Sequence, residues 1–167
     1  MRSQHQKQVD QFMRLAQQDV PRSVTIPSEE VRLLRVKLTF EECLEKLSAL
    51  GVTMRFGSFE FHPGLESSGY LCGWTFHITA ECDIIEVVDA CCDINVVSTG
   101  TLSAFGVDDV LPQLAVNMSN LRKFDLGGHK RDDGKWIKPP LWQPPDIAGI
   151  LVGMGWKQEQ GELEKSQ

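Results

Sequence analysis

The chain has 167 residues, the length of one ordinary domain, and its 41% hydrophobic and 24% charged residues build a core rather than a disordered coil. Its apolar runs hold only a few residues, too few to span a membrane, and the polar opening Met1-Arg2-Ser3-Gln4-His5-Gln6-Lys7-Gln8 reads as no secretory leader. A net charge of −6 argues against a surface built to hold a nucleic acid backbone, so the expectation is a soluble, cytoplasmic type of globular protein.

Gln4 to Gln18 carries Val9, Phe12, Met13, Leu15 and Ala16 at helical spacing, which predicts a first amphipathic helix ended by Asp19-Val20-Pro21. Pro27 and Ser28 open a second, with Glu29 and Glu30 in its first turn, where they complement the helix dipole. Val31, Leu34, Leu38, Leu44, Leu47 and Leu50 carry it to Gly51, a natural helix stop. Residues 51 to 78, rich in Gly, Ser and aromatics, read as an irregular insertion holding a small hairpin built on pieces such as Met54-Arg55-Phe56 and Phe59-Glu60-Phe61.

A third helix is expected from about Thr79 to Ala104, broken by Gly106. Asp108 is the expected cap of a fourth, which tolerates Pro112 near its start and ends near Phe124, before Gly127-Gly128. A Gly- and Pro-rich stretch follows, with Asp133-Gly134 as a tight turn and two tryptophans, Trp136 and Trp142, which either stack on a base or, the favoured reading, wedge the stretch onto the helices. Asp146 to Met154 forms a short closing helix, and residues 158–167 a polar tail. The expected architecture is therefore all-α, a four-helix-type bundle forming one domain over residues 1–157.

The five cysteines, at 43, 72, 82, 91 and 92, form no CxxC pair and show no zinc-type spacing with histidine. They read as small buried hydrophobes.

The charged residues carry more information. From Arg122 to Lys138 six bases (Arg122, Lys123, Lys130, Arg131, Lys135, Lys138) meet three acids (Asp125, Asp132, Asp133), so this segment is +3 and the rest of the chain −9. An acidic body with one basic flap suits a cation bound together with a phosphate chain. In the third helix, apolar almost all round, Glu86, Asp89 and Asp93 fall at i, i+3 and i+7 and so form one stripe. A partly buried seam is the expected setting for it. In the second helix Glu41, Glu42 and Glu45 crowd one turn. Two such stripes facing each other in a low dielectric repel strongly unless protonated or neutralised, and a hard divalent cation is the simplest neutraliser.

Glu41-Glu42-Cys43-Leu44-Glu45 followed by Glu86-Val87-Val88-Asp89 resembles the signature of the all-α nucleoside triphosphate pyrophosphatases, the MazG-like superfamily. Ser119-Asn120-Leu121-Arg122-Lys123, Lys130-Arg131-Asp132-Asp133-Gly134-Lys135 and Lys138-Pro139-Pro140-Leu141-Trp142-Gln143-Pro144-Pro145-Asp146 are similar to its phosphoribosyl-ATP pyrophosphohydrolase-like branch, found in bacteria and phages. The gap from Glu45 to Glu86 is longer than the family's usual one.

The resemblance implies cleavage between the α- and β-phosphates of a nucleotide, giving a monophosphate and pyrophosphate. It implies Mg²⁺ (or Mn²⁺) held by Glu42, Glu45, Glu86 and Asp89, with Glu41 orienting the attacking water or exchanging that role with Glu42. Asp93 is then either an outer supporting residue or a plain polar contact. Asn120, Lys123, Arg131, Lys135 and Lys138 face the phosphates, and the partner besides the nucleotide is a second copy of the chain, in a dimer or tetramer. A slow or inactive nucleotide-binding regulator of the same fold, and a true phosphoribosyl-ATP pyrophosphohydrolase, are the alternatives.

Overall fold

The computed structural model describes residues 1–55, 75–125, 127–132 and 136–157. Among these the chain is mostly helical, with α1 (Gln4–Leu15), α2 (Glu29–Ala49), α3 (Ile84–Ala104), α4 (Val110–Leu121) and α5 (Ile147–Gly153). Two small antiparallel pairs accompany them: β1 (Val52–Arg55) with β2 (Thr75–Ile78), and β3 (His129–Lys130) with β4 (Trp136–Ile137). The chain divides into two compact units, one of Met1–Val31 and Thr99–Gln167, the other of Arg32–Ser98.

In the first unit, Ser3 caps α1 by accepting from the Gln6 amide at 3.0 Å. The helix stops at Leu15, before the expected Gln18, because Gln17 turns left-handed (φ 59°) and the Gln18 amide reaches back to the Met13 carbonyl at 2.8 Å. Val9 and Met13 are buried on one face, as the spacing requires. Gln6, wholly buried, ties this helix to the corner between α3 and α4. Its amide nitrogen donates to Ser103 Oγ (3.1 Å) and the Val107 carbonyl (2.8 Å), and its oxygen accepts from the Asp109 amide (3.0 Å).

The same corner corrects one expectation. Asp108 does not cap α4, because its carboxylate is taken by Arg2 and the amino-terminal ammonium. Asp109 occupies the cap position, yet its side chain accepts from Ser3 instead. Opposite charge outbids the local cap when the segment ahead of α1 delivers cations. The amino-terminal ammonium first, and Arg2 with it, hold the Asp108 carboxyl below its ordinary range against the opposing effect of burial. α3 ends as the glycine predicts: Gly106 (φ 68°) is left-handed, and the Val107 amide closes onto the Leu102 carbonyl at 2.9 Å.

After α4 a short 3-10 turn (Arg122–Phe124) leads into the β3–β4 ribbon. Both tryptophans do wedge the proline-rich segment down, since Trp136 Nε1 donates to the Lys123 carbonyl and Trp142 Nε1 to the Ser119 carbonyl at 2.8 Å. The turn expected at Asp133-Gly134 lies outside the described residues. Asp146 caps α5 by accepting from the Gly149 amide at 2.8 Å.

In the second unit α2 runs into Gly51, left-handed at φ 68°. The Gly51 carbonyl accepts from the amides of both Thr79 and Ala80, and a Cβ at this position would stand 2.3 Å from the Ala80 carbonyl oxygen. The hairpin exists, but Met54-Arg55 pairs with Thr75-Phe76; Phe56 and Phe59-Glu60-Phe61 lie outside the described residues. α3 starts at Ile84 rather than Thr79. Thr79 and Ala80 are held by Gly51, and Asp83 supplies the cap by accepting from the Ile85 (2.9 Å) and Glu86 (3.3 Å) amides. Ala49, the last residue of α2, accepts from the Asp83 amide at 2.9 Å.

Two further expectations change. Cys43, Cys82, Cys91 and Cys92 are exposed, and Cys72 lies outside the described residues. Most of α3's apolar surface in this unit is open as well, with Ile85 at 75% and Val88 at 57% exposure. Among the described residues little covers the outward side of α3, where Ile84, Ile85 and Val88 are exposed.

Candidate functional site

The hydrogen bond from the Asp83 amide to the Ala49 carbonyl joins the end of α2 to the start of α3, and α3 then returns alongside α2 in the opposite sense, bringing Glu86 and Asp89 to Glu45 and Asp93 to Glu42. Successive turns of one then face successive turns of the other in reverse order. Glu45 meets Glu86 and Asp89 around a cleft of about 320 Å³, lined also by Ser48, Ala49, Asp83 and Ala90. One turn earlier on α2, Glu42 faces Asp89 and Asp93. Its carboxyl is pushed above the ordinary carboxylate range, first by loss of water around it and then by the negative charges of Glu45, Asp93, Glu41 and Asp89. The two acidic stripes read from the sequence thus confront each other.

The setting is wetter than the sequence suggests. Glu41, Glu45, Glu86 and Asp89 are exposed, and only Glu42 and Asp93 are half-buried. Glu42 still has one oxygen, Oε2, shielded from solvent with no hydrogen-bond partner. A carboxylate oxygen in that state is satisfied by a proton or a cation. Among the described residues no three of His, Cys, Asp and Glu stand close enough together to hold one ion. The donor chemistry nevertheless fits a hard divalent cation, because every converging group is a carboxylate oxygen donor. Asp83 and Ser48 were not among the residues the sequence singled out. Asp83 lies three before Glu86, continuing the i, i+3 acidic spacing backward, and that was the available signal.

The basic residues belong to the other unit. Lys123, on the 3-10 turn, donates from Nζ to Asn120 Oδ1 at 2.7 Å, so the pair expected one turn apart does meet. Lys138 Nζ sits 3.7 Å from the centroid of the Trp142 ring, and Lys123 Nζ 5.9 Å from it. Arg131 is exposed, and Lys135 lies outside the described residues. Among the described residues no helix is long and apolar enough to cross a membrane. Neither the models of known protein families nor the curated proteins compared with it match this sequence.

Proposed function

We propose that this protein is a divalent-cation-dependent nucleoside triphosphate pyrophosphohydrolase of the MazG-like, all-α kind, which cleaves the α–β phosphate bond of a (d)NTP or related nucleotide. The observation that carries this reading is that Glu42 on one helix faces Asp89 and Asp93 on the next, while Glu45 shares a cleft with Glu86 and Asp89. A helical scaffold gains nothing from repelling carboxylates in a seam, whereas a site for a cation and a polyanion requires them.

Glu42, Glu45, Glu86 and Asp89 would hold Mg²⁺ or Mn²⁺. When bound, that ion offsets the charge that develops on the phosphate oxygens. Glu41 orients the attacking water; Glu42, whose carboxyl holds a proton more tightly than usual, suits the proton-accepting role if the two exchange. Asp93 backs Glu42 from the facing helix. Asn120, Lys123, Arg131, Lys135 and Lys138 supply donors to the phosphate oxygens. The open apolar surface of α3 (Ile84, Ile85, Val88) and of α2 (Leu33, Val36, Phe40) supports assembly with a second copy.

The test is pyrophosphate release from a panel of NTPs, dNTPs and phosphoribosyl-ATP with Mg²⁺. Turnover of at least one, abolished by chelator, is the expected result. Turnover confined to phosphoribosyl-ATP would assign the histidine-pathway reaction. Tight nucleotide binding with no turnover on any substrate would replace the hydrolase with a regulatory nucleotide binder.

A further inference from the structure

We infer that Trp142 is a positioning residue, a platform that gathers Lys123 and Lys138 into one clamp for linked phosphate groups; the inference rests on the proposed reading of those lysines as phosphate ligands. The local sequence builds this directly. Lys138-Pro139-Pro140-Leu141-Trp142 folds back on itself, with the Trp142 amide donating to the Pro139 carbonyl at 3.0 Å and two prolines limiting the backbone. That turn returns the Lys138 ammonium to 3.7 Å from the ring centroid of Trp142.

The ring is itself fixed. Its Nε1 donates to the Ser119 carbonyl at 2.8 Å, and Ser119 Oγ donates back to the Gln143 carbonyl at 3.2 Å, a reciprocal pair across a buried serine. Lys123 approaches from the 3-10 turn that follows α4, its Nζ 5.9 Å from the ring and bonded to Asn120 Oδ1. Two ammonium groups that share one ring lie within ~10 Å of each other, close enough to repel at ordinary ionic strength. The negative face of the indole attracts both and lowers the cost of that approach. An anion with charge on two neighbouring groups, as in pyrophosphate, relieves the repulsion more fully than a single phosphate does.

The experiment measures calorimetric binding of inorganic pyrophosphate and of inorganic phosphate to the full chain without added metal, alongside the KM for any nucleotide turned over. Trp142→Leu should weaken pyrophosphate binding by about tenfold and raise KM more than it lowers kcat, while Trp142→Phe, which keeps a ring face, retains most of the binding. Lys138→Ala in the Trp142→Leu background should add little, because the ring and the ammonium act as one unit. Unchanged pyrophosphate binding in folded Trp142→Leu overturns the platform. So does a loss confined to nucleotides, which would assign the ring to base stacking. If Trp142→Leu fails to fold, the Phe variant and a Lys123→Ala/Lys138→Ala cycle decide: additive losses overturn the clamp. Absence of nucleotide turnover in the wild type, with Trp142-dependent pyrophosphate binding intact, removes the hydrolase and leaves the clamp standing.

Discussion

At the scale of residues, Glu42 departs from an ordinary surface carboxylate, because one of its oxygens is shielded while four negative side chains surround it. Its folded-state pKa is raised, so the folded protein holds this proton more tightly than the unfolded chain does. Glu42's contribution to stability in metal-free buffer is therefore fully present below the ordinary carboxylate range and is lost as pH rises through its raised value, whereas Asp108, held low, contributes in the opposite sense at more acid pH. Urea midpoints across that interval should show the decline, and Glu42→Gln should flatten it while adding about 0.5 kcal/mol at neutral pH, the scale of partly solvated like-charge pairs. A steeper decline in the Gln variant would assign the effect to another group. Glu45→Gln and Glu86→Gln, at the mouth of the cleft, should lower turnover by about 100-fold or more yet leave metal-free melting unchanged or slightly raised. A large loss of folding in either variant would make these acids structural.

At the scale of elements, α1, α2 and α3 each stop at a left-handed residue, Gln17, Gly51 and Gly106. Gly51 combines a left-handed backbone with a Cβ position 2.3 Å from a carbonyl oxygen that belongs to the segment leading into α3. Gly51→Ala should cost roughly 1–3 kcal/mol in denaturant unfolding, and more if the hairpin shifts. Parity with the wild type would show that this corner relaxes freely. The anchoring of α1 makes a second case. Gln6→Met conserves volume but strands the Asp109 amide and the Val107 carbonyl, so a loss of about 1–3 kcal/mol is expected from the same measurement. The unfolding midpoint of a Gln6→Glu variant should recover partly at acid pH, where a protonated carboxyl can again donate.

For the whole molecule, the exposed Ile84, Ile85 and Val88 on α3 present more apolar surface than a lone copy comfortably leaves in water. Light scattering should find a dimer or tetramer whose melting temperature rises with protein concentration. Ile85→Lys should raise the dissociation constant by at least about 100-fold, because in a two-fold contact each substitution removes its buried side chain twice. A monomeric wild type at high concentration would refute that arrangement.

Helical periodicity, proline and glycine stops and the spacing of the acids determined, from sequence alone, the existence of the helices, the stripe on α3 and the crowded turn on α2. These are local properties: a 3.6-residue repeat places side chains on a face whatever the rest of the chain does. The start of α3 at Ile84 was not legible, because Thr79 and Ala80 are claimed by the Gly51 carbonyl across the hairpin. Nor was the fate of Asp108, whose cap role yields to a cation from the segment ahead of α1, over a hundred residues away in sequence. Only the tertiary structure decided that the two acidic stripes face each other in reverse order, since that depends on the antiparallel return of the chain through a hairpin. It likewise decided that Lys123 and Lys138 share one ring, a juxtaposition fixed by hydrogen bonds between a turn and a helix end rather than by any spacing along the chain.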